Sequence, residues 1–293
     1  MTTINAPATE SPAAHATRLM LAAVCPGGSL DGAQVPAGLG GYEPDQHAQV
    51  LSVAGFDALV VAVPHGYIEG DAGEERLRDV AWLGPRARRH DELVRLAMRA
   101  GPTLPVGFAS LFSGDAAIER TLTIHAAEIR RHFEHTSGCE EWSVRLMGDR
   151  AAIVERELDT LVGDAGTGAG YLARRRLHPR AQGRADAWCL ERADRLLEAL
   201  ADVVVEASER PVVSARRDDG TDALTHDALL VPAREQGAFE ARLEAIAPEL
   251  EADGLDIELS GPWPVFSFCP ALTGMSSETS GDRGDRAPEG TRT

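Results

Sequence analysis

RPVVSARRDDGTDALTHDALLVP, residues 210–232, holds two apolar-rich runs around a polar Asp-Asp-Gly segment. Valine-rich runs favour a pleated, half-buried surface, and Asp and Gly favour the turn between them. RPVVSARR (210–217) and THDALLVP (225–232) therefore read as two joined strands. Outward from them, RADAWCLERADRLLEALADVVVEASE (184–209) reads as a long helix, and REQGAFEARLEAIAPELEADG (234–254) as a second helix ended by Gly254. Further out, EEWSVRLMG (140–148) alternates like a strand, and LDIELSGP (255–262) puts Leu255, Ile257 and Leu259 on one face. With an insertion at 149–183 set aside, the order is βαββαβ, a ferredoxin-like arrangement. Two helices then cover one face of an antiparallel sheet and leave the other for a partner.

The N-terminal half is also α+β. RLMLAAV (18–24), HAQVLSVAG (47–55) and DALVVAVP (57–64) read as strands, with a tight turn at Ala54-Gly55. GEERLRDVAWL (73–83) reads as a short helix. PRARRHDELVRLAMRAG (85–101) is a clear one, with Pro85 in its first turn and Gly101 at its stop. Leu93, Leu96, Ala97 and Ala100 give it a one-sided apolar stripe. TLPVGFASLF (103–112) is too apolar to be exposed, and DAAIERTLTIHAAEIRRHFEH (115–135) reads as one long amphipathic helix. The expected fold is α+β in two domains, with ferredoxin-like antiparallel sheets packed with helices. They are an N-terminal α+β domain over 17–137 and a C-terminal ferredoxin-like domain over 138–270. A disordered arm (1–16) and a disordered tail (271–293) flank them. The tail contains Arg283-Gly284-Asp285, a tripeptide short enough to arise by chance.

Charge and composition exclude several roles. The net charge is −17 and every basic residue is arginine. Nucleic acid would be repelled unless one face were locally basic. No run reaches the ~18 apolar residues of a membrane span, and the apolar core before Cys25 is too short for a secretion signal. The expected location is cytoplasmic, with no nucleic acid or membrane as partner. Cys25, Cys139, Cys189 and Cys269 are far apart and read as buried free thiols, not a metal set. His125, His132 and His135 share a helix with Glu128, but no distant ligand joins them, so they read as surface histidines. No catalytic set can be assembled from spacing, and no cofactor is expected.

Two features carry the rival reading of a ferredoxin-like small-molecule or anion-binding protein or enzyme. Gly166-Thr-Gly168-Ala-Gly170 follows a helix instead of a strand, and the chain has no lysine for a phosphate loop. It reads as a flexible connection. Arg174, Arg175 and Arg176, with Arg180 and Arg184, form a basic patch suited to an acidic partner or to neutralising nearby Glu.

Three blocks together resemble the gas vesicle GvpL/GvpF family, over about residues 18–269. RARRHDELVRLAMRAGPTLPVGFASLF (86–112) is similar to the family's His-containing helix, here His90, followed by a Leu-Pro-x-x-Phe-Gly-like segment with Pro105 and Phe108. EEWSVRLMG, with Trp142, is followed by GAGYLARRR (168–176), with Tyr171 and Leu172. GPWPVFSF (261–268) resembles the family's C-terminal Gly-Pro-Trp-Pro-Pro-Tyr-x-Phe signature through Gly261, Pro262, Trp263, Pro264, Phe266 and Phe268. Val265 and Phe266 stand where Pro-Tyr is usual, and Ala109 where the family tends to have Gly. The resemblance implies two α+β domains and a non-enzymatic accessory or minor structural role in building gas vesicles. The implied partners are the major shell protein and other accessory proteins. An acidic, dispersed protein with a free sheet face or edge suits an aggregation-prone shell subunit, and the N-terminal domain is the expected contact surface. Trp263, Phe266 and Phe268 are expected to bury themselves on the second domain, so that Trp263→Ala would cost ~3–5 kcal/mol.

Overall fold

A computed structural model describes residues 17–32, 35–163, 167–212, 217 and 220–273. The arm 1–16, the tail beyond 273 with its Arg283-Gly284-Asp285, Gly166, and most of the Asp-Asp-Gly turn region lie outside the described residues. The protein is α+β, with two antiparallel sheets in two compact units. One holds the chain up to His135 and a return segment from Pro270; the other is Thr136–Cys269.

In the first unit β1 (Thr17–Pro26) is flanked by β3 (Phe56–Pro64) and the short β4 (Leu104–Pro105), with β2 (Ala48–Val53) outside β3. The short β5 (Leu111–Phe112) also pairs with β1. Val53 pairs with Phe56, so the β2–β3 loop is the two residues Ala54 and Gly55. Both have positive φ, 53° and 80°, as the twist of a two-residue hairpin requires.

β1 and β3 are buried at nearly every position because helices lie on both faces. Met20, Ala22, Leu59 and Val61 pack with Leu93 and Ala97 of α2 (Val80–Ala100). On the other side Phe56 meets Phe133 edge-on at 6.1 Å. Helices thus cover both faces of this sheet, and β2, β4 and β5 each pair with a single strand among the described residues.

Helix α1 spans Gly70–Arg78. Helix α2 starts five residues before the expected Pro85, because Asp79 caps it by accepting from the Ala81 N–H at 2.9 Å. The expected 115–135 helix is two, α3 (Asp115–Ile124) and α4 (Ala126–Thr136), broken at His125. His125 is drawn out of the helical run by Glu128 (2.6 Å) and by the carbonyl of Thr273 (3.1 Å). His132 donates to the Thr103 carbonyl at 3.2 Å. Both rings are buried, not on the surface as expected. Leu272 is buried too, so the tail's first residues are packed.

In the second unit β6 (Cys139–Gly148) lies between β8 (Asp222–Pro232) and β9 (Leu255–Trp263), and β7 (Glu206–Glu209) lies outside β8. Helix α5 (Arg150–Val162) follows β6, α6 (Thr167–Leu200) precedes β7, and α7 (Gln236–Ala252) joins β8 to β9. Trp142, Val144, Leu146, Leu229 and Val231 pack against Cys189, Leu196, Phe239 and Leu250. The alternating residues of β6, β8 and β9 project from the other face.

Two element boundaries differ from those the sequence suggests. The expected 184–209 helix begins at Thr167 and ends at Leu200, so Gly168 and Gly170 are helical and not in a flexible loop. The expected 210–217 strand lies earlier, at Glu206–Glu209. Three successive valines (203–205) disfavour further helix. The Arg210 N–H still bonds the His226 carbonyl at 2.8 Å, but Pro211 has no N–H to continue the ladder.

Candidate functional site

The first motif block is a buried polar joint. Arg86, Arg89 and His90 share one face of α2 at helical spacing. Arg89 donates to the Gly40 carbonyl at 2.6 Å, and Arg86 donates to Glu43 at 2.6 and 2.8 Å. Tyr67 also donates to Glu43 at 2.7 Å. Burial pushes the Glu43 carboxyl up, but the bonds from Tyr67 and Arg86 outweigh it and hold the group low. His90 sits at the centre. Its Nε2 lies 2.7 Å from the Val106 carbonyl, which can only accept, so Nε2 carries the proton. In the neutral ring Nδ1 then accepts from the Tyr42 hydroxyl at 2.8 Å. Burial holds the His90 imidazole below its ordinary pKa, so the neutral ring is the native form. Phe108 meets both Tyr42 and His90 edge-on at 5.6 Å, and Pro105 pairs with Ala23 at the sheet. His90, Pro105 and Phe108 thus form one structural joint. Tyr42 and Glu43, its partners, carry no motif that sequence spacing could flag.

Ala109 has φ 76°, a left-handed conformation that glycine adopts freely. This gives a backbone reason for the glycine the family tends to have there. Ala109→Gly should raise the melting temperature, with a gain of about 0.5–1 kcal/mol from relieved strain less glycine's entropy cost. An unchanged or lower melting temperature would count against the strain.

The last block is anchored differently from the expectation. Pro264 and Val265 are the buried residues, whereas Trp263 is 41% and Phe266 39% exposed. Their truncation should therefore cost only about 1–2 kcal/mol, less than the expected Trp263→Ala loss. The chain after β9 is held instead by the buried Glu141 carboxylate, which accepts from the Ser267 N–H (2.8 Å) and hydroxyl (2.7 Å). Ser267 lies on the tight helical turn Phe266–Phe268 that carries the motif's last ring. Gly261 lets β9 pass close to β6: a Cβ there would lie 3.0 Å from both the Glu141 carbonyl and the Trp142 ring. Trp142 itself is a core residue, tilted against Phe239 at 5.9 Å. Gly261, Pro262, Trp263 and Pro264 thus end an edge strand, with two large rings left toward solvent.

Tyr171 and Leu172 lie on α6 and are both 68% exposed. The adjacent arginines divide. Arg174 is taken by Glu155 and by Asp159, the latter at 2.6 Å. Arg175 and Arg176 are exposed and make no ion pair among the described residues. With Gly168 and Gly170 helical and Arg174 neutralised, the Gly-rich segment and the arginines do not assemble a phosphate loop.

The open face of the second sheet holds a cluster that spacing did not reveal. Arg145 on β6 bonds Glu258 on β9 at 2.7 Å, and Arg217 reaches the other oxygen of the same carboxylate. His226 on β8 meets the Ser143 hydroxyl at 2.9 Å. Burial, then Arg145 and Arg210, hold the His226 ring below its ordinary pKa. The alternation of LDIELSGP puts Glu258 opposite the apolar stripe, but its partners are distant in sequence.

The family model described as "Gas vesicle synthesis protein GvpL/GvpF" matches residues 21–270. Gas vesicle protein L of Streptomyces sp. (strain CB03234) is 29% identical over 240 residues, which are 79% of this chain and 85% of that protein. Gas vesicle protein L1 of Halobacterium salinarum is 29% identical over 198 residues, 62% of this chain and 69% of that protein. The crystal structure of the gas vesicle protein GvpF from Anabaena sp. PCC7120 superposes with TM-score 0.65 at 18% identity, covering 87% of this chain and 99% of that one. GvpF from Microcystis aeruginosa gives 0.61 at 17% identity, with the same coverages. Among the described residues no helix is long and apolar enough to cross a membrane.

Proposed function

The chain belongs to the gas vesicle GvpL/GvpF family, and from that premise we propose that it binds the major shell protein and supports gas vesicle assembly. Family membership gives it a gas vesicle-related role. The finer role is that of an accessory or minor structural protein in the cytoplasm, associated with the vesicle and with other accessory proteins, and acting by binding instead of catalysis.

The observation that supports a docking role is the exposed pair Trp263 and Phe266, at and just past the end of edge strand β9. Large rings that are half-exposed at a strand end offer apolar area for a partner to bury. A shell subunit with apolar surface can bury its own apolar area against them. The rest of the protein, with its net charge of −17, keeps the complex dispersed.

The proposal is tested in cells. The tagged chain should co-purify with the major shell protein from native extracts, and deleting its gene should reduce vesicle number. Absence of association, with vesicles still forming in the deletion strain, would reject it.

A further inference from the structure

The open face of the second sheet is a basic island on an acidic protein. Arg145, Arg210, Arg217 and His226 line a cavity of about 460 Å³ with Glu258, beside Met147 and Ala223. Among the described residues, three guanidinium groups there face one carboxylate, while the whole chain carries −17. Asp256, the next acidic residue on that face of β9, is opposite Met147 and outside the lining. The volume lies within the usual range of small-ligand sites, roughly 300–1,000 Å³.

We propose that this cavity binds a small, multiply charged oxyanion, a phosphate or diphosphate group, through Arg145, Arg210 and Arg217. Glu258 takes one Arg145 nitrogen and one Arg217 nitrogen, and each guanidinium has five N–H donors, so both keep donors for a second acceptor. Arg210 makes no ion pair among the described residues. The carboxylate bridging two arginines is already the geometry in which an oxyanion is held. A small anion is favoured over an acidic protein segment by range. Charges act over about 8–10 Å in physiological salt, so a small ligand experiences the local positive field. A large acidic partner would also meet the rest of a protein with the same sign of charge. This proposal is independent of shell-protein binding.

A bound oxyanion would also change His226. Its ring faces Arg145 and Arg210, with Ser143 and the Pro211 carbonyl as hydrogen-bond partners and Glu258 as the cavity's carboxylate. A negative ligand beside the two arginines offsets their repulsion of the imidazolium. Binding should therefore raise the His226 pKa.

The test is calorimetric titration of the full chain with sodium diphosphate at constant ionic strength, with His226 followed by NMR. The expected result is saturable one-site binding and an upward shift of the His226 titration. Affinity should weaken about tenfold or more in Arg210→Ser. It should be unchanged in the α6 variant Arg175→Ser/Arg176→Ser. Arg210 holds no ion pair among the described residues, so Arg210→Ser decides the matter even if Arg217→Ser disturbs folding. No saturable heat, equal affinity in Arg210→Ser, equal weakening in the α6 variant, or an unmoved His226 would each overturn the proposal.

Discussion

Replacing Gly261 by alanine is expected to lower the stability of the second unit by about 2–5 kcal/mol. Two effects add. Gly261 has φ 148°, in the region where an L side chain is strained. Its Cβ would also lie 3.0 Å from the Glu141 carbonyl oxygen and 3.0 Å from the Trp142 ring. The oxygen belongs to the central strand and the ring is packed in the core, so neither can yield cheaply. The substitution should push β9 away from β6 and disturb the Glu141–Ser267 anchor beyond it. Urea unfolding checks this, with Gly237→Ala as the control: Gly237 lies in α7 with open space around its Cβ. Helical glycine-to-alanine changes are neutral or stabilising. Equal stability of Gly261→Ala and wild type would contradict the close approach.

The second large effect is at His90. His90→Ala should cost about 3–5 kcal/mol, from a buried cavity and two orphaned polar groups, the Val106 carbonyl and the Tyr42 hydroxyl. His90→Gln, which can donate and accept, should recover part of the loss. The pH dependence follows from the neutral ring. Burial lowers the native pKa, while the unfolded chain takes up a proton near the ordinary value of 6.5. The contribution is full above that value and is lost as pH falls through the lower native pKa. The acid limb of the stability curve should therefore be shallower in His90→Gln than in wild type. Thermal melts between neutral and mildly acidic pH measure this, and parallel curves would remove His90 from the acid response.

The strands and helices were readable wherever one side of the chain meets core and the other meets solvent. β9 shows this in Leu255, Ile257 and Leu259, and α2 in Leu93 and Ala97. The errors fall where a local signal met a tertiary partner. Pro85 suggests a helix start, but Asp79 supplies a cap earlier in the chain. The valines near residue 212 suggest a strand, but Pro211 ends the ladder. The three aromatic residues of the last motif suggest burial, yet the pocket takes Val265 and leaves Trp263 and Phe266 outside. The His90–Tyr42 joint, the Glu141–Ser267 anchor and the Arg145–Glu258 pair of the arginine cluster join residues 48, 126 and 113 positions apart. No spacing rule connects such residues, because the sheet and helix packing that unites them is not local.

The docking account rests on the two half-exposed rings, and direct binding tests it. Purified wild-type chain and the double variant Trp263→Ser/Phe266→Ser would be titrated with solubilised major shell protein, and both melts recorded. The predicted result is shell-protein binding by wild type and at least a tenfold loss in the double variant, with a melting temperature lowered only modestly. Equal binding by both would contradict the assignment of these rings as the docking surface, and no binding by either would contradict the proposed function.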